Sequence, residues 1–179
     1  MGAQRLIPLA AILAALATGC QGDGDSAPDG SSATTGDRAV VEWVVDGDTL
    51  RVRDGVTVRL VQIDAPELHT DCYGRPALRE LIDLAPKGTR VTLVRDRELD
   101  DRDVHGRLLR YVLVGERNVN VELVERGAAS PYYFRNERGE HADELDDAVD
   151  EARDARRGYW GACPGAELNT GLGSVTGRA

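Results

Sequence analysis

Residues 46–67 read DGDTLRVRDGVTVRLVQIDAPE, and they carry the strongest structural signal in the chain. Residues 49–53 alternate in polarity and end at Asp54-Gly55, a pair typical of tight hairpin turns. Residues 56–63 continue the alternation as the partner strand. The stretch therefore predicts a β-hairpin with acidic residues at both ends and an arginine, Arg59, within its second strand.

The remainder of the chain adds strands first and helices later. Patterns of alternation and of helical spacing predict strands at 39–45, 90–94 and 107–114 and helices at 76–84, 119–126 and 142–156. Five strands, mostly early and linked by hairpins, favour a small barrel over a doubly wound sheet. The fold class predicted for this 179-residue chain is α+β, mainly β, with three helices around a five-stranded barrel.

The N-terminus has the pattern of an export signal. Arg5 precedes an apolar run over residues 6–17, which is too short to span a bilayer and ends in small residues. We therefore expect residues 1–19 to be a signal peptide. The following Cys20 resembles a bacterial lipoprotein processing site, which would place a lipid-anchored protein on the outer face of the cell membrane. The alternative is an ordinary cleaved signal and a secreted protein, because Ala17 stands where that pattern usually has Leu.

Composition sets the domain boundaries. Residues 20–38 are rich in Gly, Ser, Asp and Thr and are expected to form a flexible tether. Residues 39–162 would form the folded domain, and the Gly-rich residues 163–179 are expected to be a disordered tail.

The chain has three cysteines. If Cys20 carries lipid, Cys72 and Cys163 remain as an even pair in a protein that leaves the cytoplasm. We expect these two to form a disulfide, and the alternative is two free thiols.

The formal net charge of −9 is unusual for a protein that handles nucleic acid. Residues 136–157, however, carry nine acidic residues and four arginines, so most of the acidity falls on the last predicted helix. Attraction of a polyanion over long distances should be weak, and a bound cation would have to supply much of it.

Carboxylates and arginines recur in the strand-flanking segments. Asp46, Asp48 and Asp64 supply oxygen ligands, which suit calcium or magnesium. Arg59 and Arg107 supply planar forks that match phosphate oxygens. A lone Asp-Gly-Asp is usually a solvated turn. The ordered set points to a divalent cation held against a phosphodiester.

The chain combines several short motifs in a fixed order: Asp46-Gly47-Asp48-Thr49, Arg59-Leu60, Ile63-Asp64-Ala65-Pro66-Glu67, Tyr73-Gly74, Gly106-Arg107, and Asn120 with Leu123-Val124 ahead of Gly127. In these motifs, from about Val41 to Trp160, the chain resembles the staphylococcal nuclease (thermonuclease) family. The resemblance implies an OB-fold barrel of five strands with three helices. It also implies a monomeric, calcium-dependent phosphodiesterase that cleaves DNA and RNA to 3′-phosphate products.

The same resemblance assigns the candidate metal ligands. Asp48 and Asp64 would be the carboxylate ligands of Ca²⁺. Ala65 stands where the family usually has Thr, but the ligand there is the backbone carbonyl, which Ala also supplies. Asp46 would hold metal-bound water.

The implied catalytic residues are Glu67, Arg59 and Arg107. Glu67 would activate the attacking water, and the two arginines would clamp the scissile phosphate.

Around this set the chain departs from the family pattern. Val104-His105 replaces the usual Lys-Tyr, so His105 is either a substitute donor to a neighbouring phosphate or an ordinary loop residue. Tyr133 matches a tyrosine of the nucleotide pocket, and Arg135 replaces a second one but can stack on a base. Tyr132 and Phe134 are expected to be packing residues.

Two other functions fit the same barrel, because fold alone does not determine function. One is a nucleic-acid-binding module that does not cleave. The other is an adhesion or partner-binding lipoprotein that uses the barrel as a scaffold.

Overall fold

The structure is a computed structural model that describes residues 36–178. The expected signal peptide, Cys20 and most of the expected tether lie outside the described residues. The first strand begins at Asp37, two residues before the predicted domain boundary.

The five predicted strands and three predicted helices occur in the predicted order, and the structure adds short strands and one helical turn that were not predicted. The strands are β1 (Asp37–Val44), β2 (Thr49–Val52), β3 (Thr57–Leu60), β4 (Ile63–Asp64), β5 (Arg90–Val94), β6 (Leu108–Val114), β7 (Arg117–Asn118), β8 (Ser130–Pro131), β9 (Glu167–Asn169) and β10 (Gly173–Val175). The helices are α1 (Gly74–Leu84), α2 (Val119–Glu125), α3 (Ala142–Asp154) and the single turn α4 (Tyr159–Ala162). Among residues 36–178, no helix is both long enough and apolar enough to cross a bilayer.

Five strands close into a barrel. They lie in the order β3-β2-β1-β5-β6 with antiparallel neighbours, and a parallel pairing of β3 with β6 closes the ring. In this pairing Val58 lies opposite Leu108. Closure removes the free sheet edges that would otherwise need protection. The barrel with α1, α2 and α3 confirms the predicted α+β fold class.

The barrel and the helices share one hydrophobic core. Val58 and Leu60 of β3 are fully buried, as the alternation predicted. The helical spacing of Ala142, Leu145, Val149, Ala152 and Arg156 predicted one buried stripe along the last helix. The first four are buried in α3, whereas Arg156 is exposed beyond the end of that helix. The helix residues buried in the core include Ala77, Leu81 and Leu84 of α1, Leu123 and Val124 of α2, and Leu145, Val149 and Ala152 of α3.

The second hairpin strand breaks before its predicted end. Gln62 has a φ of 63°, so residues 56–63 form β3 and then β4 rather than one strand. The buried Gln62 side chain donates to Glu137 O over 2.8 Å and accepts a hydrogen bond from Gly139 N. The Asn120 amide, also buried, donates to Val61 O over 2.8 Å. These bonds fix the turn, and β4 then pairs with β8 and carries Asp64 to the rim of the barrel.

The prediction of a disordered C-terminal tail is wrong. Residues 163–178, which we call the C-terminal strap, contain the β9–β10 hairpin, with Leu168 opposite Ser174. Gly173 adopts a φ of 86°, and Leu172 N donates to Asn169 O in the turn. Here glycine supplies a backbone conformation that the hairpin requires, and composition alone does not distinguish that use from disorder.

The disulfide between Cys72 and Cys163 is present, as predicted. The two Cα atoms are 5.9 Å apart, and the bridge spans 91 positions of sequence. It joins the loop before α1 to the start of the C-terminal strap.

We expect loss of this bridge to destabilise the protein. In the chain-entropy model a closed loop of this length contributes ~4–5 kcal/mol, which is an upper value. Urea unfolding of the Cys72→Ala/Cys163→Ala variant should give a lower midpoint than wild type. A thiol assay on the unfolded, unreduced chain should detect Cys20 at most, and two further free thiols would contradict the bridge.

Candidate active site

Asp48 lies in the turn between β1 and β2. Its carboxylate accepts hydrogen bonds from Thr49 Oγ1 (3.0 Å) and from the backbone N–H of Ala65 (2.8 Å). Its own N–H donates to Asp46 Oδ1 over 3.2 Å. A side chain at Gly47 would place its Cβ 2.6 Å from Ala65 Cβ, so the turn can pack here only with glycine. The two acidic motifs of the sequence therefore meet at one place.

Arg59 lies between the two carboxylates of these motifs. Its Nη1 is 3.2 Å from Asp48 Oδ2, and its Nη2 is 2.7 Å from Asp64 Oδ1. Nη1 also donates to Ile63 O (2.7 Å) and Leu60 O (3.1 Å). The Arg59 side chain is only 12% exposed, so these contacts are largely shielded from water.

The cluster of Asp46, Asp48, Asp64 and Arg59 has more acidic groups than basic ones. Burial, together with the charges of Asp46 and Asp64, raises the pKa of Asp48 to about 7, against the opposing effects of Arg59 and of the hydrogen bond from Ala65 N. Burial alone would lower the pKa of Arg59, but Asp48 and Asp64 raise it above its ordinary value. Arg59 therefore stays charged, and one guanidinium faces three carboxyl groups.

The excess of carboxyl groups over the single guanidinium bears on whether the site can bind a cation. No group of three or more His, Cys, Asp or Glu side chains between residues 36 and 178 is gathered closely enough to form a ready metal site. However, Asp48 and Asp64 flank a single guanidinium, and all the donors here are oxygens, including the Ala65 carbonyl. A hard divalent cation with water as its remaining ligands fits this donor set and would offset the excess negative charge.

Arg107 approaches the same cluster from the loop before β6. Its Nε donates to Asp103 Oδ2, and its Nη1 is 3.5 Å from Thr49 Oγ1, which itself bonds to Asp48. Asp103 also accepts from the backbone N–H groups of Arg107 and His105. The pKa of Asp103 is lowered: burial opposes the change, and the hydrogen bonds from Arg107 outweigh it. Asp103 therefore fixes the loop and orients the guanidinium.

Glu67 is exposed just after β4. Its backbone N–H donates to Asp71 Oδ2 over 3.1 Å. No hydrogen bond or ion pair from residues 36–178 engages its carboxylate, which is thus available to a water molecule. It lines the same cavity as Arg59 and Arg107.

That cavity is a cleft of about 490 Å³. It brings together all the predicted metal, catalytic and substrate-binding residues except one. The predicted residues that line it are Asp46, Asp48, Arg59, Asp64, Ala65, Glu67, His105, Arg107 and Arg135.

The exception is Tyr133, and its predicted position in the pocket is wrong. Tyr133 is buried, and its hydroxyl bonds to Ala142 O (3.0 Å) and Asp146 Oδ1 (2.7 Å), away from the cleft. Tyr132 and Phe134 line the cleft instead, although packing roles were expected for them. A shift of one residue in an extended segment turns each side chain to the opposite face, and motif spacing did not resolve that shift.

Two residues of this region were not found from the sequence. Asp103 stands four residues before Arg107. The only sequence feature that could have indicated its role was the short acidic loop ahead of the strand. Ser174 bonds to Asp64 through both its N–H (2.9 Å) and its Oγ (3.0 Å), across 110 positions of sequence. No local pattern reveals a contact at that separation.

The raised pKa of Asp48 predicts a stability change for Asp48→Asn in chelator. The folded-state pKa of about 7 lies above the ordinary value of 3.8, so this group lowers the stability of wild type as pH rises from about 4 to 7. Asp48→Asn lacks that loss. Its free energy of unfolding should therefore rise by about 1–4 kcal/mol relative to that of wild type between pH 4 and pH 7. Urea unfolding at several pH values measures it, with exposed Asp83→Asn as the control. A constant difference between pH 4 and 7 would contradict the assignment.

The chain is similar in sequence to a known protein family and to several known proteins. A family model described as "Staphylococcal nuclease homologue" matches residues 57–162. An uncharacterized endonuclease of Escherichia coli O157:H7 is 38% identical over 124 residues, covering 65% of this chain and 72% of that protein. The thermonuclease of Staphylococcus intermedius is 33% identical over 112 residues, covering 58% of this chain and 65% of that protein.

Some relatives are much longer. Endonuclease YhcR of Bacillus subtilis (strain 168) is 31% identical over 137 residues, which cover 68% of this chain and 11% of that protein. This chain therefore corresponds to only a small part of that protein. Because the family model covers more than half of the chain and the E. coli relative matches over most of its own length, the chain belongs to the staphylococcal nuclease family of phosphodiester hydrolases.

Proposed function

We propose that this protein is a calcium-dependent endonuclease that hydrolyses DNA or RNA and leaves 3′-phosphate products. The family uses metal ions, and the choice of Ca²⁺ is part of the proposal. The observation that carries it is the convergence of Arg59, Arg107, Glu67 and the Asp48–Asp64 pair on one cleft.

The arginines supply the phosphate contacts. A guanidinium has five N–H groups, and Arg59 donates three of them in hydrogen bonds to Leu60 O, Ile63 O and Asp64 Oδ1. Two remain for a phosphate oxygen. Arg107 is held at Nε by Asp103 and contacts Thr49 Oγ1 through Nη1, which leaves further N–H groups of Nη1 and Nη2 for the substrate. Both groups would stabilise the negative charge that develops on the equatorial oxygens of the phosphorus.

Asp48, Asp64 and the Ala65 carbonyl would hold Ca²⁺, with Asp46 behind them. When bound, the ion would neutralise phosphate charge as a Lewis acid. Arg59 can turn fully to the phosphate only when another positive charge neutralises Asp48 and Asp64, since it now lies between them.

Glu67 would act as the base for hydrolysis. It accepts a proton from water as the water oxygen bonds to phosphorus, and the bond from phosphorus to the 5′-oxygen breaks. The leaving oxygen takes up a proton to give a 5′-hydroxyl, and Arg107 stabilises it as it departs.

The place of action is proposed from residues 1–20 alone. Their export pattern supports activity outside the cytoplasm, through a lipid anchor on Cys20 or after secretion. Mass spectrometry of the mature N-terminus distinguishes the two.

Degradation of single-stranded DNA tests the proposed activity. With Ca²⁺ the wild-type protein should degrade it, and excess chelator should abolish the reaction. Glu67→Gln should lose most of the turnover because an amide cannot accept the proton. Binding without degradation by wild type would favour a non-cleaving nucleic-acid-binding module, and neither binding nor degradation would favour an adhesion or partner-binding protein.

Arg107→Lys tests the role of the guanidinium fork. Removal of one transition-state donor typically costs ~10²–10³ in rate, and a lysine ammonium cannot reproduce the fork. We expect a loss of that size in kcat on a defined oligonucleotide. The exposed Arg117→Lys is the matched control and should behave as wild type. Near-normal turnover of Arg107→Lys would rule out the clamp.

A further inference from the structure

The C-terminal strap reaches the proposed metal site through Ser174. The backbone N–H of Ser174 donates to Asp64 Oδ2 over 2.9 Å, and its hydroxyl donates to the same oxygen over 3.0 Å. The strap lies outside the part of the chain that matches the family model, which ends at residue 162.

The contact is close and specific. Gly173 lies against the Asp64 carboxylate, and a Cβ there would be 2.4 Å from Oδ2. Only glycine fits this position, and its φ of 86° directs the following N–H of Ser174 at the carboxylate.

The strap is fixed along its length. The disulfide from Cys163 to Cys72 holds its start, and Cys72 N donates to Gly177 O over 3.0 Å near its end. Between them, Tyr133 N donates to Thr170 O over 2.7 Å at the hairpin turn. Ser174 is therefore held against Asp64 by contacts on both sides of it.

The two carboxylate oxygens of Asp64 differ in the number of hydrogen bonds that they accept. A carboxylate oxygen has about two acceptor positions. Ser174 fills both positions of Oδ2, whereas Oδ1 accepts one bond, from Arg59 Nη2. Oδ1 keeps one position, and it is the oxygen on the side of Arg59 and Asp48.

We propose that Ser174 is a positioning residue for Asp64, which fixes the rotation of the carboxylate so that Oδ1 is presented to a divalent cation. The inference rests on the proposed metal role of Asp64. It adds a residue from the strap to the site and gives the Cys72–Cys163 disulfide a part in cation binding.

Calorimetric titration of the full-length, chelator-treated and desalted protein with CaCl₂ alone tests this proposal without any cleavage step. Removal of a partner of a metal ligand typically weakens metal affinity by ~10–100-fold. Because Ser174→Ala keeps the backbone bond, we expect a Kd about tenfold higher. Ser174→Thr retains a hydroxyl and should bind within about twofold of wild type. Thr170→Ala is the matched control in the same hairpin, since its hydroxyl does not contact Asp64.

The result also separates the proposal from its alternatives. If the strap instead blocked the site, Ser174→Ala would bind calcium more tightly, and that outcome overturns the inference. Equal affinity of Ser174→Ala and wild type overturns it as well, while the nuclease assignment stands. Absence of calcium binding by wild type overturns both the calcium part of the proposed function and this inference.

A second variant tests the contribution of the disulfide. Cys163→Ser detaches the start of the strap and should also weaken calcium binding, whether or not it lowers the melting temperature in chelator. Unchanged affinity in a folded Cys163→Ser variant would contradict the proposed role of the bridge.

Discussion

The partly buried ion pairs of Arg59 with Asp48 and Asp64 are the interaction on which the site depends. Two carboxylates brought this close would repel each other without a shared cation, and burial makes their separate ionisation costly. Arg59 supplies one positive charge, and the raised pKa of Asp48 shows that this charge does not fully offset the burial. The same residues thus hold the cleft together and leave part of its negative charge without a neutralising partner among them.

The barrel makes this arrangement possible. Closure through the pairing of β3 with β6 places Arg59 beside the strand that follows the Arg107 loop. The left-handed turn at Gln62 then redirects the chain so that Asp64 returns toward the turn that carries Asp48. Both features put polar groups at the barrel rim, while the apolar side chains of β3 remain in the core.

The loop and the strap complete the site from outside the barrel. Asp103 holds the Arg107 loop, and Ser174 holds Asp64, so two of the charged groups are oriented by partners that the sequence patterns did not reveal. The acidic helix α3 contributes instead to packing and to fixing Tyr133, whose hydroxyl it binds. The net negative charge of the chain therefore does not fall mainly on the cleft.

The barrel, the helices and the acidic and arginine motifs were predictable from the sequence, because alternation, helical spacing and motif order are local signals. The disulfide was predictable from the cysteine count, since Cys72 and Cys163 remain as a pair if Cys20 is lipidated. The predicted site residues line the cleft, apart from Tyr133, because they belong to motifs that their order and spacing identify. Only the tertiary structure decided which face Tyr132, Tyr133 and Phe134 present, since a one-residue shift leaves the pattern unchanged. It also decided that a Gly-rich segment forms a hairpin and that Ser174 meets Asp64, because those outcomes depend on contacts between residues far apart in the chain.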